Sequence, residues 1–189
     1  MATTLHSNLL ELYHNAPPNI KQEGLLWYSS ARTYYSQLAR KLHLKPRVVL
    51  GVVAALSPFV KWSTQLALTE KFITDELHQK GSGSFPGFPA NLRTARSILG
   101  GTPVLEALNG PKTRAFYKNL IGRKKPITLD RHAISAALGK KISPKERHTK
   151  AQLRDIHRAY VEAAKQERVG NCDFQAIVWS TWRIKDASH

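Results

Sequence analysis

The sequence predicts an all-α protein, one domain built as two helical lobes. Apolar residues recur at helical spacing in nearly every segment, and no stretch shows the strict alternation of a half-buried strand. Pro and Gly fall between the periodic runs, where they end one helix and admit the next. With 189 residues, 42% of them hydrophobic, the chain can build one sizeable domain or two small lobes sharing a groove.

Residues 3–15 carry Leu5, Leu9, Leu10, Leu12 and Tyr13 on one face and stop at Pro17-Pro18. Residues 23–42 repeat the pattern with Leu26, Trp27, Ala31, Tyr34, Tyr35, Leu38 and Leu42; Trp27 and Tyr28, at the start of that helix, are candidates to face a groove. Residues 48–56 are continuously apolar, and helical surroundings and alanines favour a buried helix over a buried strand. Pro58 ends it by disfavouring helical geometry at Ser57, and a further helix spans residues 62–77. Residues 80–89 are rich in Gly, Ser and Pro and read as a loop, followed by a short basic helix over 91–99 that Gly100-Gly101 ends. Beyond Gly139 a charged connector leads to helices over 152–166 and 174–182, where Trp179 and Trp182 compete for a core position.

The segment from 108 to 139 organises the rest. It reads as a short helix ending at Asn109, a tight turn through Gly110 and Pro111, a helix over 112–120, a basic loop, and a helix opening at Asp130. Glycine admits the positive φ of a sharp reversal, and proline presets φ at the first helical position. Amides converging on such a turn form a donor site for phosphate oxygen. Asp130 is a favourable N-cap, with amides of residues 131–133 in reach of its carboxylate.

The net charge of +16 and pI near 10.2 call for an anionic partner, a property that a basic ribosomal or membrane-surface protein would share. The charge is concentrated. Residues 112–158 hold fourteen Lys and Arg against three acids, Asp130, Glu146 and Asp155, a surplus of eleven of the sixteen. Apolar residues run through the same stretch, so it folds, and a folded segment with this charge favours phosphate contact. Cys172 is the only cysteine, which excludes an internal disulfide and a multi-cysteine zinc or iron–sulfur site and fits a reducing cytoplasm. No leader-like segment or membrane-length apolar run is present in the sequence, so secretion and membrane insertion are not expected.

Gly110-Pro111-Lys112-Thr113 and, eighteen residues on from Lys112, Leu129-Asp130-Arg131-His132-Ala133 resemble the helix-hairpin-helix DNA glycosylase superfamily, whose hairpin reads G-x-K-T-A and whose catalytic segment reads V-D-T-H-V. The likeness covers residues 48–139 in segment order and is specific between hairpin and aspartate. Arg114 and Arg131 stand where the family has small residues, the cysteine cluster of some members is missing, and the family's pocket glutamine falls at Phe59 or a neighbour. The resemblance implies a two-lobed helix-hairpin-helix glycosylase-like fold, similar to phage or anti-phage glycosylases acting on modified bases. It implies Asp130 and Lys112 as catalytic residues. Gly110, Pro111, Thr113, Arg114, Lys118, Arg131 and His132 would contact DNA, and Trp27, Tyr28, Ser57, Phe59, Trp62, Gln175 and Trp179 would border a base pocket. Double-stranded DNA is the expected partner of a cytoplasmic monomer needing neither cofactor nor metal.

Breaking an N-glycosidic bond develops positive charge on the sugar, so the chemistry asks for a carboxylate near C1′ and for access to a stacked base. Asp130 suits the first role. Lys112 suits attack on C1′ as an amine, which adds lyase activity, or simple phosphate contact. Three function classes follow: a DNA glycosylase with or without lyase activity, a non-catalytic DNA-binding module, and an enzyme of phage DNA base hypermodification.

Overall fold

A computed structural model of the chain describes residues 2–57, 62–78 and 88–187. Among them every regular element is a helix: α1 (Ala2–His14), α2 (Pro18–Lys41), α3 (Pro46–Leu56), α4 (Trp62–Leu77), α5 (Pro89–Leu99), α6 (Val104–Ala107), α7 (Pro111–Leu120), α8 (Arg131–Leu138), α9 (Lys150–Gln166) and α10 (Asn171–Ala187). The protein is therefore all-α, as expected. The chain divides into two compact units: Met1–Ser30 with Gly122–His189, and Ala31–Ile121, the boundary running through α2.

The Ala31–Ile121 unit is built around α3, whose residues Val49 to Leu56 are all buried, so it is the helix rather than the strand that the apolar run allowed. It packs against α4, α5, α6 and α7. Buried Gln65 of α4 donates through Nε2 to the carbonyl of Val53 at 2.7 Å, linking the two helices with a polar contact that burial strengthens. Pro46, Pro89 and Pro111 each open a helix at its first position, where the missing N–H costs nothing.

The other unit surrounds a core from α1, α8, α9 and α10, with Leu9, Ile134, Ile156, Tyr160, Phe174 and Val178 at its centre. Tyr13 stacks on Phe174 with ring centroids 4.9 Å apart. Trp182 is the core tryptophan, 5% exposed, while Trp179 is half-buried. The start of α2 crosses α10 at Gly24, where an added Cβ would stand 2.5 Å from Ile177 Cγ1 and 2.8 and 2.9 Å from Ile177 N and Cα. Only a hydrogen side chain fits so close a backbone approach.

Some boundaries move. The helix holding Trp27 and Tyr28 starts at Pro18, so these two residues sit in its interior; Tyr28 is buried with its ring edge-on to half-buried Trp27, and Leu26, expected on the inner face, is half exposed. α9 begins at Lys150 because Thr149 and Gln152 form a reciprocal capping box. α10 extends from Asn171 to Ala187, beyond the 174–182 read from apolar spacing, because its remaining turns are polar.

Candidate functional site

The turn at Gly110 takes the positive φ expected of it, but the short helix before it, α6, ends at Ala107 rather than at Asn109, with Leu108 extended. Gly110 takes φ +84°, with nothing within 4 Å of where a Cβ would be, so the glycine is required by conformation rather than crowding. Thr113 donates its hydroxyl back to the Asn109 carbonyl, and Arg114 Nε donates to Leu108 O at 2.8 Å. Both side chains thus brace the turn itself. Lys118 is exposed, and Lys112 is half-buried without a hydrogen-bond or ion-pair partner among the described residues. Ser57 closes α3 and donates its hydroxyl to Ala54 O at 3.0 Å. Phe59 and the side chain of Trp62 lie outside the described residues, as does most of the 80–89 segment.

Asp130 belongs to the other compact unit. It caps α8 in extended geometry, its Oδ1 accepting from the Ala133 amide at 2.7 Å. Its Oδ2 accepts from the indole Nε1 of Trp179 at 3.2 Å. The carboxylate is half-buried and held by one donor on each oxygen. Arg183 lies over the Trp179 ring, 4.6 Å from its centroid, and His132 meets the same ring edge-on at 6.1 Å. Tyr160 donates to Ala133 O at 2.9 Å, tying α9 to the first turn of α8; burial, reinforced by the Asp130 charge, keeps its phenol protonated.

The segment before Asp130 is fixed by α10. Gln175 accepts from the Thr128 amide and donates to the Thr128 carbonyl, both at 3.0 Å; Asn171 donates to Lys125 O at 2.9 Å. Asn171, Gln175, Trp179 and Arg183 stand four residues apart and so form one row along the helix. Its first three members hold Lys125, Thr128 and Asp130 in succession. Beside the row, Lys124 Nζ reaches both oxygens of Asp173 at 2.7 Å, and the buried Cys172 amide donates to Lys124 O at 3.1 Å. Burial and the Asp173 charge push the Cys172 thiol up to about 12, so it is inert at neutral pH.

Two residues expected to border a base pocket make internal contacts. Gln175 is buried, with both ends of its amide engaged by Thr128, so it positions the backbone of the segment that leads to Asp130. Half-buried Trp179 holds the aspartate through its indole N–H. Arg131 is exposed at the first turn of α8, as a phosphate contact requires. The spacing of the row in α10 was the available signal, but what it would hold lies more than forty residues away in sequence.

Burial holds His132 below the ordinary imidazole value; Asp130 and Asp186 offset this in part, and Arg131 and Arg183 reinforce it. It is therefore neutral at pH 7. With the folded value below the unfolded one, the unfolded chain binds the extra proton first, and stability falls as pH drops from about 6.5 until the folded imidazole titrates too. Melting temperatures between pH 7.5 and 5 should decline less for His132→Gln than for the parent; an identical decline would exclude this histidine as the cause.

A match to a family model spans residues 1–186. The chain belongs to the family of unknown function DUF7178. No curated protein and no solved structure matches this DUF7178 chain. Among the described residues no helix is long and apolar enough to cross a membrane, and no group of three or more His, Cys, Asp or Glu side chains could hold a metal ion.

Proposed function

We propose that this protein is a DNA glycosylase that flips a damaged or modified base out of duplex DNA and excises it, with Asp130 as the carboxylate facing the developing sugar cation. One observation carries the reading: a half-buried carboxylate at a helix N-terminus, each oxygen held by a single N–H, with Arg131 and Arg183 close by. Fixed donors orient the carboxylate without neutralising it, and ionised oxygen lone pairs remain available for electrostatic stabilisation of the transition state. The arginines suit the phosphates flanking an extruded nucleotide. The likeness of the hairpin and Asp130 segments to the helix-hairpin-helix glycosylases supports the same chemistry. A panel of duplexes carrying damaged or phage-modified bases tests it: alkali-labile abasic sites should appear on at least one, and none on any would remove the activity.

Lys112 divides two mechanisms. If its amine attacks C1′, borohydride should trap a covalent protein–DNA adduct, and Lys112→Gln should abolish trapping and base release together. We favour hydrolysis that leaves an abasic site, with Lys112 as one phosphate-binding cation among several; Lys112→Gln then weakens binding but still releases base. Efficient trapping by the parent, lost in the variant, would reverse this choice.

A non-catalytic DNA-binding module is the second reading, favoured by the way Thr113 and Arg114 brace the hairpin and by the structural bonds on both Asp130 oxygens. It predicts duplex binding with no abasic product on any substrate.

A further inference from the structure

α9 lies on the core through Ile156, Ala159, Tyr160, Ala163 and Ala164. At about 100° per residue, Arg154, Arg158 and Lys165 fall on the opposite ridge of the helix, with Lys150 beside them. All four are exposed, and the buried edge prevents the helix from turning them inward. Asp155 and Glu162 border one flank of the ridge, yet none of the four cations forms an ion pair among the described residues. Exposed Lys145 and Arg147 continue the charge into the preceding loop, whose junction with the helix is fixed by the Thr149–Gln152 capping box.

The chemistry of this face narrows the partner. A membrane-surface helix needs an apolar side turned outward, and the large apolar side chains that are exposed all lie on other elements. Single-stranded nucleic acid is gripped by stacking on aromatic rings, and the ridge has none. The one aliphatic side chain in this row, Val161 between Arg158 and Lys165, is partly buried against the core, and the exposed cations around it suit the backbone of a duplex. Arg154 to Lys165 spans roughly 16 Å at 1.5 Å per residue, enough to meet several successive phosphates.

We infer that this ridge is a second DNA-backbone contact, sequence-independent and separate from the hairpin, on the compact unit that carries Asp130. The inference rests on the DNA-acting function proposed above. In place of specificity, the ridge supplies salt-dependent hold on a duplex.

The test is Arg154→Gln/Arg158→Gln/Lys165→Gln, compared with Arg40→Gln/Lys45→Gln/Arg93→Gln, which removes equal charge from exposed positions of the other unit. Affinity for an unmodified duplex is measured across a salt series, with melting temperatures to confirm folding. The ridge variant should bind at least about tenfold more weakly near 0.1 M salt, with a log–log slope shallower by about two to three. The comparison variant should keep most of the parental slope. A ridge variant with the parental slope overturns the ridge alone, as does an equal loss in the comparison variant. Preference of the parent for phosphatidylserine vesicles over duplex also overturns it. A parent that binds no duplex at low salt overturns both the ridge and the proposed function.

Discussion

Asp130→Asn should bind duplex DNA at close to parental affinity and release base at least about 100-fold more slowly, the loss typical of removing a preorganised electrostatic contact to a transition state. The variant keeps one oxygen that can cap α8 through the Ala133 amide. Its amide nitrogen then meets the Trp179 indole, which is itself a donor, so the two donors now held by separate oxygens cannot both be satisfied in that way. The expected cost in stability is about 1 kcal/mol, far too small to explain the kinetic loss. Single-turnover base release at saturating DNA, read beside a binding isotherm, separates the two effects. Parental excision by this variant would show that the carboxylate only caps the helix. Parental binding with no excision is also what a positioning role would give, so Trp179→Phe is the companion: it removes the indole donor, leaves the charge, and should retain part of the rate.

The second large effect is on stability. Gly24→Ala places a methyl group against the backbone of Ile177, whose N and Cα would stand at 2.8 and 2.9 Å, and helix backbones cannot yield as a side-chain tip can. The expected loss is about 3 kcal/mol. For a chain of this size that is a drop of roughly 10 °C in melting temperature. Ile177→Ala removes Cγ1, the nearest atom, but leaves both backbone contacts, so the double variant should recover little. Full recovery would show the conflict to be confined to the isoleucine side chain, and a parental melting temperature for Gly24→Ala would show that α2 and α10 separate without cost.

How much of this was legible in the sequence follows from the range of the interactions. The hairpin and the cap at Asp130 were readable because each is set within four residues: Gly110 and Pro111 dictate their own φ, and Asp130 bonds an amide three positions on. The buried nature of α3 was equally local. What holds the aspartate was not, since Trp179 and Gln175 lie 49 and 47 residues from their partners and each has an ordinary core reading in isolation. Apolar periodicity also understated α10, whose end turns are largely polar. Gly24 carried no local signal, because its small size is demanded by Ile177 rather than by its own backbone. The Thr149 capping box, by contrast, is a short sequence pattern, but its charged surroundings read as a connector.

The row of Asn171, Gln175 and Trp179 imposes an order of events during synthesis. Residues 31–121 form a continuous stretch and contain the contacts that close their own unit, whereas the unit carrying Asp130 draws together residues on both sides of that insertion. Long-range closures of this kind are slow relative to local ones, and domains fold as they leave the ribosome. On a nascent chain the hairpin can therefore take shape while Asp130 still hangs on an untethered strand. The carboxylate gains its second donor, the Trp179 indole, only when α10 emerges and docks, so under the function proposed above a ribosome stalled before α10 would carry a chain able to hold DNA before it can release a base.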